Sequence, residues 1–235
     1  MRIGIDVDQV LADWNTAFVN VLHDVCPHVN IPVENPDFPK VWAWPEYYGV
    51  TANQLYEAWK RVKGSSTFWS ALDPLPDAVD AISRLNQLAA AGDDIYFLTN
   101  RVGYKCKLQT ERWLEVMGME YPTVLIVSDK LPIVRTLGIH LFIDDRLETI
   151  NAVANAAEDE SLPVRGHVYL KDYPHNREGR RDGVKVVGGI MEMLRQEGLW
   201  LSCTMETAMM VSEPHGSPVG RYIINPAIHQ ISTSL

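Results

Sequence analysis

The sequence has few cysteines and few cations. Cys26, Cys106 and Cys203 stand far apart, and no pair has the spacing of a zinc site, so neither a disulfide framework nor a cysteine-bound metal is predicted. Lys plus Arg total 21 against 30 Asp plus Glu, which gives a net charge of −9. Because a nucleic-acid polymer is bound through clustered cations, this balance disfavours such a partner. A small phosphorylated substrate stays compatible with it.

Long apolar runs and sequence repeats are also missing. No stretch reaches the roughly 18 uninterrupted apolar residues of a membrane span, and the first residues carry charges without the apolar region of a signal peptide. No repeat is visible at a period of roughly 20 to 50 residues, which disfavours a solenoid or a propeller. We therefore expect a soluble, cytoplasmic protein without a membrane partner. A homodimer is left open.

Five short apolar segments predict the strands of a parallel sheet. The first, 2 to 7 (RIGIDV), ends in acidic residues, and the others lie at 94 to 98, 123 to 127, 139 to 143 and 166 to 170. Segments with a helical pattern follow at 76 to 91, 104 to 117, 130 to 137, 147 to 157 and 184 to 197. This alternation favours an α/β fold, a Rossmann-like parallel sheet flanked by helices.

The domain organisation is predicted from one long connection. About 60 residues separate the first strand from Pro74, far more than a strand-to-helix connection needs, and they include the helix-compatible WNTAFVNVLHDV and TANQLYEAWKRV. We predict a core domain of residues 1–13 and 73–198 with a small helical cap of residues 14–72 inserted after the first strand. Residues 199–235 form a C-terminal extension, for which a hairpin, a packed arm and partial disorder are all open.

Two pairs of carboxylates follow strands of the predicted sheet. Asp6 and Asp8 stand two apart at the end of the first strand, so a regular strand would direct both side chains the same way. Asp144 and Asp145 follow the run LFI, and the carboxyl ends of parallel strands meet in one crevice. Four carboxylates there would repel one another strongly without a cation. Since Mg²⁺ prefers oxygen ligands, the set predicts a magnesium site, and the alternative is a pair of solvated strand ends.

Polar groups follow two further strands. Thr99 and Asn100 come after IYFL, and Lys130 comes after TVLIV, so a hydroxyl, an amide and an ammonium are available to hold a phosphate. Taken alone, Thr-Asn is more often a turn or a helix N-cap, and a single lysine is usually a surface residue. Their common position at the same end of successive strands favours phosphate binding.

The motifs DVDQVLAD, LTNR, SDK and FIDDR occur in the order of the four motifs of the haloacid dehalogenase (HAD) superfamily, which this chain resembles. Within it, the sequence looks most like the 5'(3')-deoxyribonucleotidase family, on DVDQVLADW, LDPLPDAVDAI and SDK followed by LFIDDR. The resemblance covers about residues 1 to 195. It implies a magnesium-dependent phosphomonoesterase, most specifically a nucleotidase that acts on nucleoside or deoxynucleoside monophosphates.

The resemblance also implies a role for individual residues. Asp6 would attack phosphorus and form an aspartyl phosphate, while Asp8 would protonate the leaving alcohol and then activate water. Thr99 and Lys130 would bind the phosphoryl group. The magnesium site would be completed by Asp144, Asp145 and the backbone carbonyl of Asp8. Two residues depart from the family pattern: Gln9 stands where glycine is common, and Asn100 where a small hydroxyl residue is expected.

Aromatic residues are concentrated in the predicted cap, and for most of them a place in the core of the cap is the simpler interpretation. Trp14 is the exception, because the similar deoxyribonucleotidases place there an aromatic ring that stacks on the base. Trp42 is a second candidate for substrate binding. Arg146 could face the substrate or balance the acidic pair. The arginines near His175, in the segment 169 to 181, predict either a phosphate-facing loop or a solvated turn.

Two other functions are open at this point. The first keeps the chemistry and changes the substrate to a sugar phosphate or another small phosphomonoester. The second is a non-catalytic binding protein with this fold, whose partner-binding arm would be residues 199–235. The complete set of acidic residues together with Lys130 argues against the second, because a scaffold would not need it.

Overall fold

Six parallel strands form one sheet in the computed structural model, which describes residues 1 to 200. The strands are β1 (Arg2–Ile5), β2 (Asp94–Thr99), β3 (Thr123–Ile126), β4 (Leu141–Asp144), β5 (Val168–Lys171) and β6 (Lys185–Val187). Their order across the sheet is β3-β2-β1-β4-β5-β6, and every neighbouring pair is parallel. The predicted α/β fold with a parallel sheet is confirmed. The predicted C-terminal extension lies outside the described residues from Leu201 onward.

Eight α-helices accompany the sheet in the described part of the chain. They are α1 (Trp14–Val25), α2 (Trp44–Tyr47), α3 (Ala52–Gly64), α4 (Ala78–Ala90), α5 (Cys106–Val116), α6 (Leu131–Leu137), α7 (Leu147–Asp159) and α8 (Ile190–Gln196). The first four lie between β1 and β2, and α1 to α3 fall within residues 14–72, so helices are inserted after the first strand, as predicted. The boundaries of a separate cap domain stay a prediction. None of the helices within residues 1–200 is both long and apolar enough to cross a membrane.

Strand β6 corrects the sequence analysis, which was wrong in predicting one helix over 184 to 197. Lys185 pairs with Tyr169 and Val187 pairs with Lys171, so this segment adds a strand to the edge of the sheet. Valine favours strands, and the two glycines at 188 and 189 interrupt a helical pattern. The segment therefore divides into a short strand and the helix α8.

The two central strands are buried on both faces. Ile3 and Ile5 of β1 and Phe142 and Ile143 of β4 are fully buried. Gly4 lies between them, and a Cβ atom added there would stand 3.0 Å from a ring carbon of Phe142. Such dense packing fixes the strand ends, from which the polar residues of the next section project.

Candidate active site

The carboxyl ends of four neighbouring strands bring most of the predicted site residues to one edge of the sheet. Asp6 follows β1, Thr99 ends β2, Lys130 follows β3 and Asp144 ends β4. From β1 the chain builds β2 and β3 on one side and then crosses to β4 on the other. Such a reversal opens a crevice above the strand ends, which is where α/β proteins bind their ligands.

Three buried carboxylates and one buried ammonium form the floor of this crevice. Asp6, Asp144 and Asp145 each offer a carboxylate oxygen, and these oxygens lie within 4.8 Å of one another. The Lys130 ammonium lies 2.7 Å from Oδ1 of Asp6 and 2.7 Å from Oδ2 of Asp144. Asp144 is further fixed because its Oδ1 accepts the backbone N–H of Arg146 at 2.8 Å. Lys130 thus holds Asp6 and Asp144 together, and the carboxylate of Asp145 lies beside them.

Burial changes the proton affinity of these groups. It raises the pKa of Asp6 to about 7, against the opposing effect of Lys130 and with the help of Asp144 and Asp8. Burial likewise raises the pKa of Asp145, and the charges of Asp6 and Asp144 add to that increase. Burial alone would lower the pKa of Lys130, but Asp144 and Asp6 hold it above its ordinary value. A further positive charge would allow all three carboxylates to ionise together.

The acidic cluster has the chemistry of a magnesium site. Its carboxylates are close enough to share one ion, and when all three are ionised Lys130 neutralises only one of their charges. A divalent cation would balance the other two, and Mg²⁺ takes a few carboxylates together with water and substrate oxygens. The residues present therefore fit the ion predicted from the sequence. The carboxylate of Asp8 lies outside this group of three.

Asp8 is held by a buried arginine that the sequence analysis did not identify. Nη2 of Arg101 donates to Oδ1 of Asp8 at 2.8 Å, and Nε lies 3.1 Å and 3.2 Å from Oδ1 and Oδ2. The Thr99 hydroxyl donates to Oδ2 at 3.1 Å. Both carboxylate oxygens of Asp8 therefore have fixed positions, while its side chain keeps 23% of its exposure.

Arg101 is itself anchored on the side away from Asp8. Its Nη1 donates to the backbone oxygen of Trp69 at 3.2 Å and to the hydroxyl of Thr110 at 3.1 Å. The guanidinium carbon lies 5.0 Å from the centroid of the Trp69 ring and 6.0 Å from that of Trp113. The motif LTNR could have pointed to Arg101, because this residue directly follows Thr99 and Asn100, which were predicted to bind phosphate.

A cavity of about 390 Å³ opens above the acidic floor. Its wall on the inserted side is aromatic, with Trp14, Phe18, Trp44 and Trp59. Trp14 stacks on Phe18 with a centroid distance of 4.7 Å and an interplanar angle of 15°, and it lies 5.9 Å from Trp59. Trp14 therefore belongs to the packing of the insertion and to the cavity wall at once.

The cavity is also lined by a cation and an imidazole. The Arg146 guanidinium lies 5.4 Å from the centroid of the Trp42 ring, and the ring of His175 lies 5.5 Å from that of Trp42. The two ring nitrogens of His175 are buried and make no hydrogen bond of regular geometry within residues 1–200. Burial lowers the pKa of His175, against the opposing effect of the nearby backbone of Pro39.

The structure thus collects most of the residues that the sequence analysis assigned to a site. The cavity is lined by nine of them: Asp6, Asp8, Trp14, Trp42, Asn100, Lys130, Asp144, Asp145 and Arg146. Thr99 does not line it, since this residue is fully buried and its hydroxyl faces Asp8. Their roles stay predictions.

The arginines of the segment 169 to 181 do not line this cavity. Arg177 pairs with Asp172 at 3.0 Å, and Arg180 lies 3.9 Å from the same carboxylate. Arg181 donates to the side chain of Asn155. Of the two interpretations of this segment, the solvated turn describes these three arginines, whereas His175 of the same loop lines the cavity.

Comparison with known proteins gives one distant sequence relative and many structures of the same fold. No family model matches the chain. The mitochondrial 5'(3')-deoxyribonucleotidase of Mus musculus is 26% identical over 173 residues, which are 72% of this chain and 75% of that protein.

Solved structures identify the fold. A HAD-hydrolase of Bacillus subtilis bound to magnesium has a TM-score of 0.51 and 16% identity, and the match covers 84% of this chain and 98% of that one. A haloacid dehalogenase-like hydrolase of Burkholderia xenovorans has a TM-score of 0.51 at 12% identity, over 82% and 96% of the two chains. The chain has the fold of the haloacid dehalogenase superfamily, which confirms the resemblance predicted from the motifs.

Proposed function

We propose that this protein is a magnesium-dependent phosphomonoesterase that hydrolyses nucleoside or deoxynucleoside monophosphates through a phosphorylated Asp6. The observation that carries this proposal is the cluster of Asp6, Asp144, Asp145 and Lys130 on the floor of an aromatic cavity. A nucleophile, a cation site and a phosphate-binding ammonium are thereby brought to one place. Phosphoryl transfer needs this combination of positioning and positive charge.

In the first step, a carboxylate oxygen of Asp6 attacks phosphorus, and the bond between phosphorus and the leaving oxygen breaks. Lys130 already holds Asp6 at 2.7 Å and provides positive charge for the phosphoryl oxygens, and the amide of Asn100 lines the same space. Asp8 enters this step with its carboxyl group protonated, and the leaving oxygen takes that proton as it departs. The products of this step are a free alcohol and a phosphorylated Asp6.

In the second step, Asp8 accepts a proton from a water molecule, whose oxygen attacks the same phosphorus atom. The bond between phosphorus and Asp6 breaks, so that inorganic phosphate leaves and both carboxyl groups return to their starting state. Arg101 and Thr99 fix the carboxylate of Asp8 for these two proton transfers. Asp8 lines the cavity beside Asp6, as a group that exchanges protons there must.

The magnesium ion would be held by Asp6, Asp144 and Asp145. When bound, it supplies positive charge that balances the carboxylates and the phosphoryl oxygens, so that the two anions can approach. If all three carboxylates are ionised, Lys130 alone leaves an excess of two negative charges among them. Dependence on a divalent cation follows from this imbalance.

The nucleotide as substrate is supported by the cavity wall and by the relative. Trp14 presents a half-buried ring to the cavity, and flat rings stack on nucleobases with contributions of about 1 to 3 kcal/mol per base. The cavity volume of about 390 Å³ is within the range of small-ligand sites. The mouse relative is named for action on deoxyribonucleotides.

Phosphate release from a panel of nucleoside, deoxynucleoside and sugar monophosphates tests the proposal. We expect turnover of nucleotides that requires magnesium, is lost with a chelator, and is lost in Asp6→Asn, which keeps the shape of the side chain. A preference for sugar phosphates would overturn the nucleotide as substrate and leave the proposed phosphomonoesterase chemistry intact. No turnover of any ester would overturn the proposal as a whole.

Magnesium titration by calorimetry separates an enzyme from a binding protein that has only kept the fold. We expect a single magnesium site that Asp145→Asn weakens, because one of the three clustered carboxylates is removed. Asp159→Asn, which removes a carboxylate outside the cluster at the end of α7, is the matched control. A chain that does not bind magnesium would favour the scaffold.

A further inference from the structure

Gln9 has a backbone conformation that its side chain makes unfavourable. Its φ angle is +60°, in the left-handed region that glycine adopts easily and other residues rarely adopt. Glycine is common at this position in the family that the motif resembles. Two hydrogen bonds hold the conformation: the Gln9 N–H donates to Ala12 at 2.8 Å, and the Tyr173 hydroxyl donates to the Gln9 backbone oxygen at 3.0 Å. A strained residue supported by its surroundings, beside Asp8, indicates a use for its side chain.

One end of the Gln9 amide is engaged and the other is unpaired. Nε2 donates to Oδ1 of Asp13 at 3.3 Å, and the same carboxylate accepts the backbone N–H of Thr16 at 3.0 Å as the N-cap of α1. Because a carboxylate accepts hydrogen bonds, the NH₂ group faces Asp13 and the oxygen Oε1 is directed elsewhere. Within residues 1–200 no group donates a hydrogen bond to Oε1, and Gln9, which is 6% exposed, lines the cavity.

Gln9 also lines the cavity, as do Asp6 and Asp8. The tyrosine that supports its backbone stacks on His175, which lines the same cavity, at a centroid distance of 5.7 Å. Most polar groups in largely buried residues of proteins have a hydrogen-bond partner, so the unpaired oxygen of Gln9 in the cavity wall indicates a ligand with polar groups of its own. The ligand must supply a donor to Oε1, since a carbonyl oxygen only accepts.

We propose that Oε1 of Gln9 accepts a hydrogen bond from a hydroxyl group of the leaving alcohol. The inference rests on the proposed function, in which the neighbouring Asp8 protonates the leaving oxygen, so that the side chain of Gln9 lies beside the alcohol. The preferred substrates are then phosphomonoesters of alcohols with a second hydroxyl, which includes the sugar of a nucleotide. An ester without that hydroxyl leaves Oε1 unpaired in the complex.

A matched pair of substrates tests this inference with the whole chain. The pair is a deoxynucleoside 5'-monophosphate and its 2',3'-dideoxy analogue, which differ in the 3'-hydroxyl alone. We expect the wild-type kcat/KM to be higher for the first by about tenfold, the value of one hydrogen bond to a neutral group. In Gln9→Ala and Gln9→Gly this ratio should fall to about one.

The two variants differ in their effect on the backbone. Gln9→Ala keeps the strain of the positive φ angle, and Gln9→Gly removes it. If both variants lose the preference for the substrate with the 3'-hydroxyl equally, that preference is due to the side-chain amide and not to the backbone. The melting temperature of Gln9→Gly should not fall below that of Gln9→Ala, because glycine adopts the positive φ angle without strain. The lost substrate preference would then not result from unfolding. A ratio that stays at its wild-type value in either variant would overturn the inference and leave the proposed function intact. A wild-type enzyme that turns over neither nucleotide would overturn the proposed function first.

Discussion

Lys130 binds two members of the acidic cluster at once, since its ammonium lies 2.7 Å from both Asp6 and Asp144. Its side chain keeps 8% of its exposure, and those of the two aspartates keep 7% and 0%, so water screens these pairs little. Asp6, the proposed nucleophile, is therefore fixed relative to Asp144 of the proposed magnesium site. This pre-positioning is the contribution of single residues to the proposed chemistry.

The residues of the site were predictable from sequence to different degrees. Asp6, Lys130 and Asp144 follow apolar strands, and the geometry of a parallel sheet alone places them together. Arg101 could not be found in this way, because charged residues are mostly exposed and nothing nearby in sequence marks this one as buried. Its partners Trp69 and Thr110 come from two other segments, which the fold brings to it.

Replacement of Arg101 tests its role in positioning Asp8. Arg101→Met removes the charge and the paired hydrogen bonds while it keeps much of the volume. We expect kcat to fall about a hundredfold or more with little change in KM, since Asp8 is needed for proton transfer and not for binding. Arg101→Lys should restore part of kcat, because it returns the charge without the planar fork.

Arg101→Met should also lower the free energy of unfolding by about 3 kcal/mol, because it removes one partner of a largely buried ion pair. Arg135→Met is the control, since Arg135 pairs with Glu160 at the exposed surface, where such pairs contribute about 1 kcal/mol or less. A folded Arg101→Met variant with wild-type kcat would contradict the positioning role.

At the scale of elements, the strands β1 to β5 were predictable because each is a short apolar run. β6 was not predictable, because its three residues belong to a segment with a helical pattern in the sequence. It is an edge strand, and among the described strands it pairs only with β5. The end of β1 was also predicted two residues too late. Asp6 and Asp8 lie in the segment beyond Ile5, where Asp6 contacts Lys130 and Asp8 contacts Arg101.

Glu197 joins the end of α8 to the last two strands. It accepts hydrogen bonds from the hydroxyl of Tyr169 in β5 and from the ammonium of Lys185 in β6 at 2.9 Å. His167 lies 2.8 Å from the other carboxylate oxygen. Burial opposes ionisation of Glu197, but these hydrogen bonds outweigh it and hold the pKa of Glu197 below its ordinary value.

The stability of this junction should therefore depend on pH. A carboxyl group whose pKa is lowered by folding stabilises the folded state above its unfolded pKa of about 4.3, and the contribution is lost as the pH falls through the lower folded pKa. We expect Glu197→Gln to reduce the melting temperature near neutral pH and to approach wild type in acid. Melting curves over the acidic range check this, and a difference that grows as the pH falls would contradict it.

At the scale of the whole molecule, the cavity has a polar floor from the sheet and an aromatic wall from the insertion. Asp6 and Lys130 belong to the strand ends, and Trp14 and Trp59 to α1 and α3. In the proposed function, the chemistry and the choice of substrate are thus provided by different parts of the chain. Sequence motifs identify the first, whereas the second depends on how the inserted helices pack over the sheet.

We therefore expect that replacement of Trp14 weakens the binding of nucleotides more than that of other phosphomonoesters. Trp14→Ala should raise the KM for nucleotides roughly tenfold, the equivalent of one lost base stack, with a smaller effect on an ester without a base. Trp14→Phe is the matched control, because it keeps a flat ring on Phe18. Equal changes for both kinds of ester in Trp14→Ala would contradict base stacking.

The formation of a phosphorylated Asp6 is the central claim, and chemical trapping tests it most directly. Borohydride reduces an aspartyl phosphate to homoserine, which mass spectrometry of the N-terminal peptide detects. With magnesium and a substrate that is turned over, we predict homoserine at position 6, and unmodified aspartate in a reaction without substrate. An enzyme that releases phosphate steadily while Asp6 stays unmodified in every quenched sample, or that carries homoserine at another aspartate, would contradict the account.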